Sequence, residues 1–158
     1  MSVLTREEAK NKITALKNAG KRIVFTNGCF DILHVGHVRY MKEAKALGDV
    51  LIVGINSDES VKRLKGENRP IVPQNERAEM LDALETVDYV VIFDEDTPEE
   101  IIRELRPNIQ AKGGDYKESD VIETKALDEY GGELKILQLV DGASTTNILE
   151  KIRKGSRE

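Results

Sequence analysis

Hydrophobic positions along the chain fall into short clusters of strand length separated by stretches of helical spacing. Arg22–Asn27, Val50–Ile55, Val87–Phe93, Asn108–Lys112 and Leu134–Leu139 are runs of strand length. Val50–Ile55 is continuously apolar, which predicts a strand covered on both faces, as in a parallel sheet. The intervening stretches carry helix signals. Thr5-Arg6-Glu7-Glu8 is a capping-box pattern with Ile13 and Leu16 on one side and Gly20 as a stop. Val38, Met41 and Ala44 define a helix reaching about Leu47. Asn56-Ser57-Asp58 caps a short helix over 59–64, and Asn75 is expected to cap another running to Leu84. Thr97-Pro98-Glu99-Glu100 predicts a helix with Thr97 as cap and Pro98 at its first position. Helices are also expected over 120–130, stopped by Gly131-Gly132, and over 147–152, with 153–158 as a frayed charged tail.

Strand and helix therefore alternate along the chain. The pattern predicts a single Rossmann-like α/β domain over residues 1–158: three α/β/α layers around a parallel sheet of about five strands, with residues 1–20 as a helix packed on the core. In such sheets ligands bind beyond the carboxyl ends of the strands, where the strand order reverses. The loops that follow Asn27, Ile55, Lys112 and Leu139 are then expected to converge, and residues 65–75, with two prolines and no periodicity, form a candidate substrate loop.

A net charge of −5 with both signs interspersed argues against a dedicated nucleic-acid or membrane-surface binder. One cysteine excludes an internal disulfide and favours a reducing, cytoplasmic setting. Residues 1–20 have no apolar core of the kind a secretory signal needs, and the apolar runs are too short to span a bilayer.

The most informative stretch begins as a buried strand, Arg22-Ile23-Val24-Phe25, and breaks at Asn27-Gly28. It then passes through Cys29-Phe30-Asp31 into His34-Val35-Gly36-His37 at the start of a helix. Strand, glycine turn and helix together present backbone N–H groups to a phosphate. The two histidines are the only ones in the chain and lie three residues apart, so a helix beginning near them puts them on one face. Gly28-Cys29-Phe30-Asp31 followed by His34-Val35-Gly36-His37 resembles the signature of the HxGH nucleotidyltransferases. That resemblance implies transfer of a nucleotidyl group from a nucleoside triphosphate with release of pyrophosphate.

Such a transfer needs an acceptor oxygen in line with the α-phosphorus. A phosphate monoester has its second pKa near about 6, so the acceptor is already ionised at neutral pH. The protein must then orient the reactants and stabilise charge rather than supply a nucleophile. His34 and His37 are the expected catalytic donors to the phosphates. A zinc pair with Cys29 or Asp31 is the competing reading; thiolate sites usually hold more than one cysteine, so no protein-bound metal is expected. Gly28, Cys29, Phe30, Asp31 and Gly36 are placed around the nucleotide, with Phe30 alternatively core and Asp31 alternatively a helix cap. Asn27 is either turn geometry or a substrate contact, and Asn56 and Arg69 are further substrate candidates. Lys65 faces either the acceptor or the triphosphate. Ser144, Thr145 and Thr146 are either an ordinary N-cap or a site for the β- and γ-phosphates. Arg77 is either a solvated arginine or, by the resemblance, a phosphate ligand. Gly113 and Asp115 are either a plain turn or the neighbours of base and ribose.

Across 21–152 the chain also carries Gly54-Ile55-Asn56-Ser57-Asp58, Arg69-Pro70-Ile71, Lys112-Gly113-Gly114-Asp115-Tyr116 and Ser144-Thr145-Thr146. With these it looks most like the heptose 1-phosphate adenylyltransferases. The resemblance implies ATP, Mg²⁺ carried by the triphosphate, and D-glycero-β-D-manno-heptose 1-phosphate as acceptor. It further implies a homodimer and, because this activity often forms half of a bifunctional protein, a separate heptose kinase in the same pathway. A CTP-dependent enzyme acting on glycerol 3-phosphate shares the phosphate motif, as would a nucleotide-binding module without catalysis.

Overall fold

The computed structural model describes residues 2–114, 117, 120–138 and 145–155. Six parallel strands form one sheet: β1 (Val3–Leu4), β2 (Ile23–Gly28), β3 (Val50–Asn56), β4 (Tyr89–Phe93), β5 (Ile109–Gly113) and β6 (Glu133–Leu137). Their order is β1-β4-β3-β2-β5-β6. The helices are α1 (Arg6–Asn18), α2 (Val35–Lys45), α3 (Asp58–Lys65), α4 (Gln74–Asp82), α5 (Glu99–Leu105), α6 (Glu123–Asp128) and α7 (Thr145–Gly155). The expected Rossmann-like class is the observed one. The additional strand is β1, two residues paired with Val90 and Val91 at the edge of β4. Two residues are too few to register as a hydrophobic period, and they precede the capping box directly.

Side chains alternate across the sheet, so each central strand feeds two cores. Ile23, Phe25, Val50 and Ile52 join Ile13, Ile101, Leu105 and Leu127 beneath α1, α5 and α6. Val24, Leu51, Val53 and Ile55 join Met41, Ala44, Ala78 and Leu81 beneath α2 and α4. Burial on both faces is why β3 reads as an unbroken apolar run. Gly54 belongs to this packing: a Cβ there would lie 2.6 Å from Phe25 Cζ.

Several helix starts differ from expectation. The helix α4 begins at Gln74 after Pro73, whose φ of −60° already suits the turn, and no side chain caps it. Asn75 lies inside the first turn, and Gln74 Oε1 accepts from Asp58 N instead. The helix α5 starts at Glu99 with Pro98 at the N-cap position, one residue later than the capping pattern suggests. The helix α6 is confined to Glu123–Asp128, whereas α7 begins earlier and runs further than 147–152.

From β2 the chain builds outward through β3 and β4, then crosses through α5 to β5 on the other side of β2. The order therefore reverses between β2 and β5. The carboxyl ends of these strands, together with β3, lie on one rim, where a doubly wound sheet opens a crevice.

Candidate active site

A cleft of about 690 Å³ opens at that rim. Asn27 and Gly28 from β2, Asn56 from β3, and Lys112 and Gly113 from β5 form its floor. The loop 29–34 and the first turn of α2 form one wall. Leu64, Lys65 and Arg69 form another, and Thr145 and Thr146 at the start of α7 complete it.

Phe30 shapes the loop after β2. It adopts φ 48°, in the left-handed region that L side chains rarely occupy, and its ring folds back over Gly28. A Cβ on Gly28 would stand 3.0 Å from Phe30 Cε2. The same ring meets His37 edge-on, with centroids 5.3 Å apart. Glycine at 28 and a bulky residue at 30 are thus one device that seats His37.

The two histidines cap their own helix. Gly36 N donates to His34 Nδ1 at 3.1 Å, and His34 N donates to His37 Nδ1 at 3.2 Å. The rings stack with centroids 3.9 Å apart. Because both Nδ1 atoms accept, each neutral imidazole carries its proton on Nε2. Burial lowers the pKa of His34. Burial, and then the neighbouring His34, takes that of His37 down to about 4. The pair is therefore neutral at pH 7 and offers N–H groups to the cleft.

Asp31 is 4% exposed. Its carboxylate accepts from Ile71 N and Val72 N, both at 2.9 Å, and from Arg69 Nε at 2.6 Å. Burial alone would raise its pKa; the two backbone donors and Arg69 outweigh it and hold the carboxyl below its ordinary value. Asp31 thus ties the 66–73 loop to the histidine loop. With Nε engaged, the two Nη groups of Arg69 have no partner among the described residues and remain available at the cleft wall. Lys65 ends α3 on the same wall, and it has no ion-pair partner among the described residues.

Arg77 stands apart from the other candidates. It does not line the cleft, and its side chain is fully buried beneath it. Its guanidinium donates to Val72 O, Cys29 O, Asn56 O and Asp58 Oδ1, at 2.7–2.8 Å. It braces the loops that form the floor and one wall. Asn56 reaches the cleft and also donates to Ser60 Oγ at 3.0 Å. The thiol of Cys29 is pushed up by burial, which outweighs the nearby cations Lys65, Arg77 and Arg69. Thr145 Oγ1 donates to Ile32 O at 3.1 Å, fastening the start of α7 to the histidine loop. Asp115 and Ser144 lie outside the described residues.

Four lining residues escaped the sequence reading: Tyr40, Leu64, Ala111 and Lys112. Tyr40 hydrogen-bonds Thr26 Oγ1 at 2.7 Å, and burial pushes its hydroxyl up to about 12, so it stays protonated. Leu64 closes the wall beside Lys65. Lys112 sits at the floor and pairs with Glu123, which is 2% exposed, at 3.0 Å. A lysine in the Lys112-Gly113-Gly114 turn after a strand was the one legible signal among them. Within the described residues no group of three or more His, Cys, Asp or Glu is placed to hold a metal ion.

Known proteins match this arrangement. The cytidylyltransferase-like family profile covers residues 25–151. The bifunctional protein HldE of Geobacter sulfurreducens is 55% identical over 92% of the chain, and that of Nitratiruptor sp. is 59% identical over 87%. The chain spans only about 30% of the length of these relatives. A crystal structure of the lipopolysaccharide core biosynthesis protein from Thermoplasma volcanium superposes with a TM-score of 0.64 at 32% identity, covering 77% of this chain and 98% of that one. Pantoate–beta-alanine ligase from Francisella tularensis, at 15% identity and a TM-score of 0.64, covers all of this chain and 80% of its own and shares the fold. A family match over most of the chain, joined to a histidine pair at the switch point of the sheet, leaves one assignment: the chain belongs to the cytidylyltransferase-like family and is a nucleotidyltransferase.

Proposed function

We propose that the chain transfers AMP from ATP to D-glycero-β-D-manno-heptose 1-phosphate, giving ADP-heptose and pyrophosphate for lipopolysaccharide core synthesis. The observation that carries this reading is the identity of 52–59% to HldE proteins over most of the chain. The likeness to a protein described by its role in lipopolysaccharide core biosynthesis supports it.

The residues suit the chemistry. An oxygen of the sugar phosphate attacks the α-phosphorus of ATP, the bond to the bridging oxygen breaks, and pyrophosphate leaves with the electron pair. The Nη groups of Arg69 and the ammonium of Lys65 hold the acceptor's phosphate. Nε2–H of His34 and His37 donate to the phosphate oxygens as charge moves onto the leaving group. The first-turn N–H groups of α7 and the hydroxyl of Thr146 receive the β- and γ-phosphates. Mg²⁺ enters as part of the substrate, held by phosphate oxygens; Asp31, the one carboxylate lining the cleft among the described residues, is already occupied by three donors. The enzyme works in the cytoplasm as a homodimer alongside a heptose kinase activity.

The test is pyrophosphate release with Mg²⁺, crossing ATP and CTP against heptose 1-phosphate and glycerol 3-phosphate. Release confined to ATP with heptose 1-phosphate is expected. Release confined to CTP with glycerol 3-phosphate would replace the substrates while keeping the reaction class.

A further inference from the structure

One buried side chain serves no evident packing purpose. On β5, Ile109 and Ala111 turn toward α2 and α4 and are buried hydrophobics. Gln110 turns to the opposite face, in register with Phe25, and is 1% exposed. Its Nε2 donates to Asn27 Oδ1 at 2.8 Å. Its Oε1 is buried with no hydrogen-bond partner among the described residues. An amide left half-satisfied in a core is destabilising relative to an apolar side chain of the same shape. Such a group in a native protein calls for an explanation outside stability.

Its partner supplies one. Asn27 is the last residue but one of β2, at the cleft floor where the strand order reverses. With Oδ1 held by Gln110, Nδ2 has no partner among the described residues and is reached from the cleft. An amide without such an anchor rotates and offers oxygen or nitrogen alike. We infer that Gln110 is a positioning residue: it locks the Asn27 amide with its N–H₂ toward the cleft, to donate to an anionic oxygen of the bound phosphate substrates. The chemical class of the ligand rests on the proposed phosphoryl reaction; the locked orientation rests on geometry alone. An amide donor adds no charge, so it complements Lys65, Arg69 and the neutral histidines without repelling them.

The experiment compares wild type, Gln110→Met, Asn27→Ala, Asn27→Asp and the double variant Gln110→Met/Asn27→Ala, by thermal unfolding, by kcat/KM for pyrophosphate release, and by calorimetric binding of MgATP. Gln110→Met is expected to unfold at or above the wild-type Tm while losing about tenfold in kcat/KM. In the Asn27→Ala background it is expected to cost nothing further, since its effect passes through Asn27. Asn27→Asp keeps the acceptor for Gln110 but turns an oxygen toward the anions, so it should lose more than Asn27→Ala. Wild-type kcat/KM in Gln110→Met, an undiminished loss in the double variant, or an Asn27→Asp variant as active as wild type would each overturn the inference. If Gln110→Met does not fold, the two Asn27 variants decide. If the wild type itself transfers nothing, the functional reading fails separately. MgATP affinity falling from wild type to Asn27→Ala to Asn27→Asp would then still support the locked amide, and equal or absent affinities would overturn it.

Discussion

Each histidine of the pair spends its Nδ1 on a backbone N–H, and that shapes what the pair can do. It acts as a neutral donor rather than a cation, so its contribution grows with charge developing on the phosphates. His34→Ala or His37→Ala is expected to lower kcat by about 10²–10³-fold, read as pyrophosphate release. Burial of His37, and then its neighbour His34, sets a pH dependence. The folded pKa of His37, about 4, lies below its ordinary 6.5. The unfolded chain therefore binds a proton there that the native state refuses. This stability is fully present above about pH 6.5 and is lost as pH falls toward about 4. Asp31, also depressed, adds a further loss only at more acid pH, below its ordinary value of 3.8. Urea titrations across that range should show the decline, and His37→Gln should flatten it. At this scale most of the residues that line the cleft were legible, because histidine, glycine and basic side chains announce themselves by type. Their partners were not: nothing in the order of residues says that Asp31 would be saturated by Arg69, Ile71 and Val72, or that Arg77 would turn inward.

At the scale of elements, two glycines in neighbouring strands do different work. Gly54→Ala forces a methyl against the Phe25 and Phe93 rings, and is expected to destabilise by about 1–3 kcal/mol as overpacking, measured by chemical denaturation. Gly28→Ala meets the Phe30 ring first, whose movement would carry His37 with it. It should therefore cost activity more than stability, and the two variants should differ in that respect when assayed side by side. The brace at Arg77 gives the opposite signature. Arg77→Leu leaves the carbonyls of Val72, Cys29 and Asn56 without their donor, the last of them buried, and is expected to lose about 3 kcal/mol or more in the same denaturation experiment. Helix existence was readable from spacing, whereas helix starts were less so. The capping box at Thr5 closed as expected. Asn75 and Thr97 did not cap, because Pro73 and Pro98 already place the chain for the turn and set the start themselves.

For the whole molecule, alternation of strand and helix was enough to reach the layer architecture and to say that the strand ends converge. The strand order was not readable, since hydrophobic runs reveal burial but not neighbours. The position of the reversal between β2 and β5 emerges only from the pairing of Val24 with Ile109 and of Phe25 with Gln110. That pairing joins the two halves of the chain, and the cleft floor is complete only once it has formed. A contact between residues so distant in sequence is slow to form compared with a helix or with the adjacent pairing of β2 and β3. During refolding from urea, far-ultraviolet ellipticity should accordingly recover ahead of nucleotide binding, and catalytic competence should return in the last kinetic phase rather than in step with secondary structure.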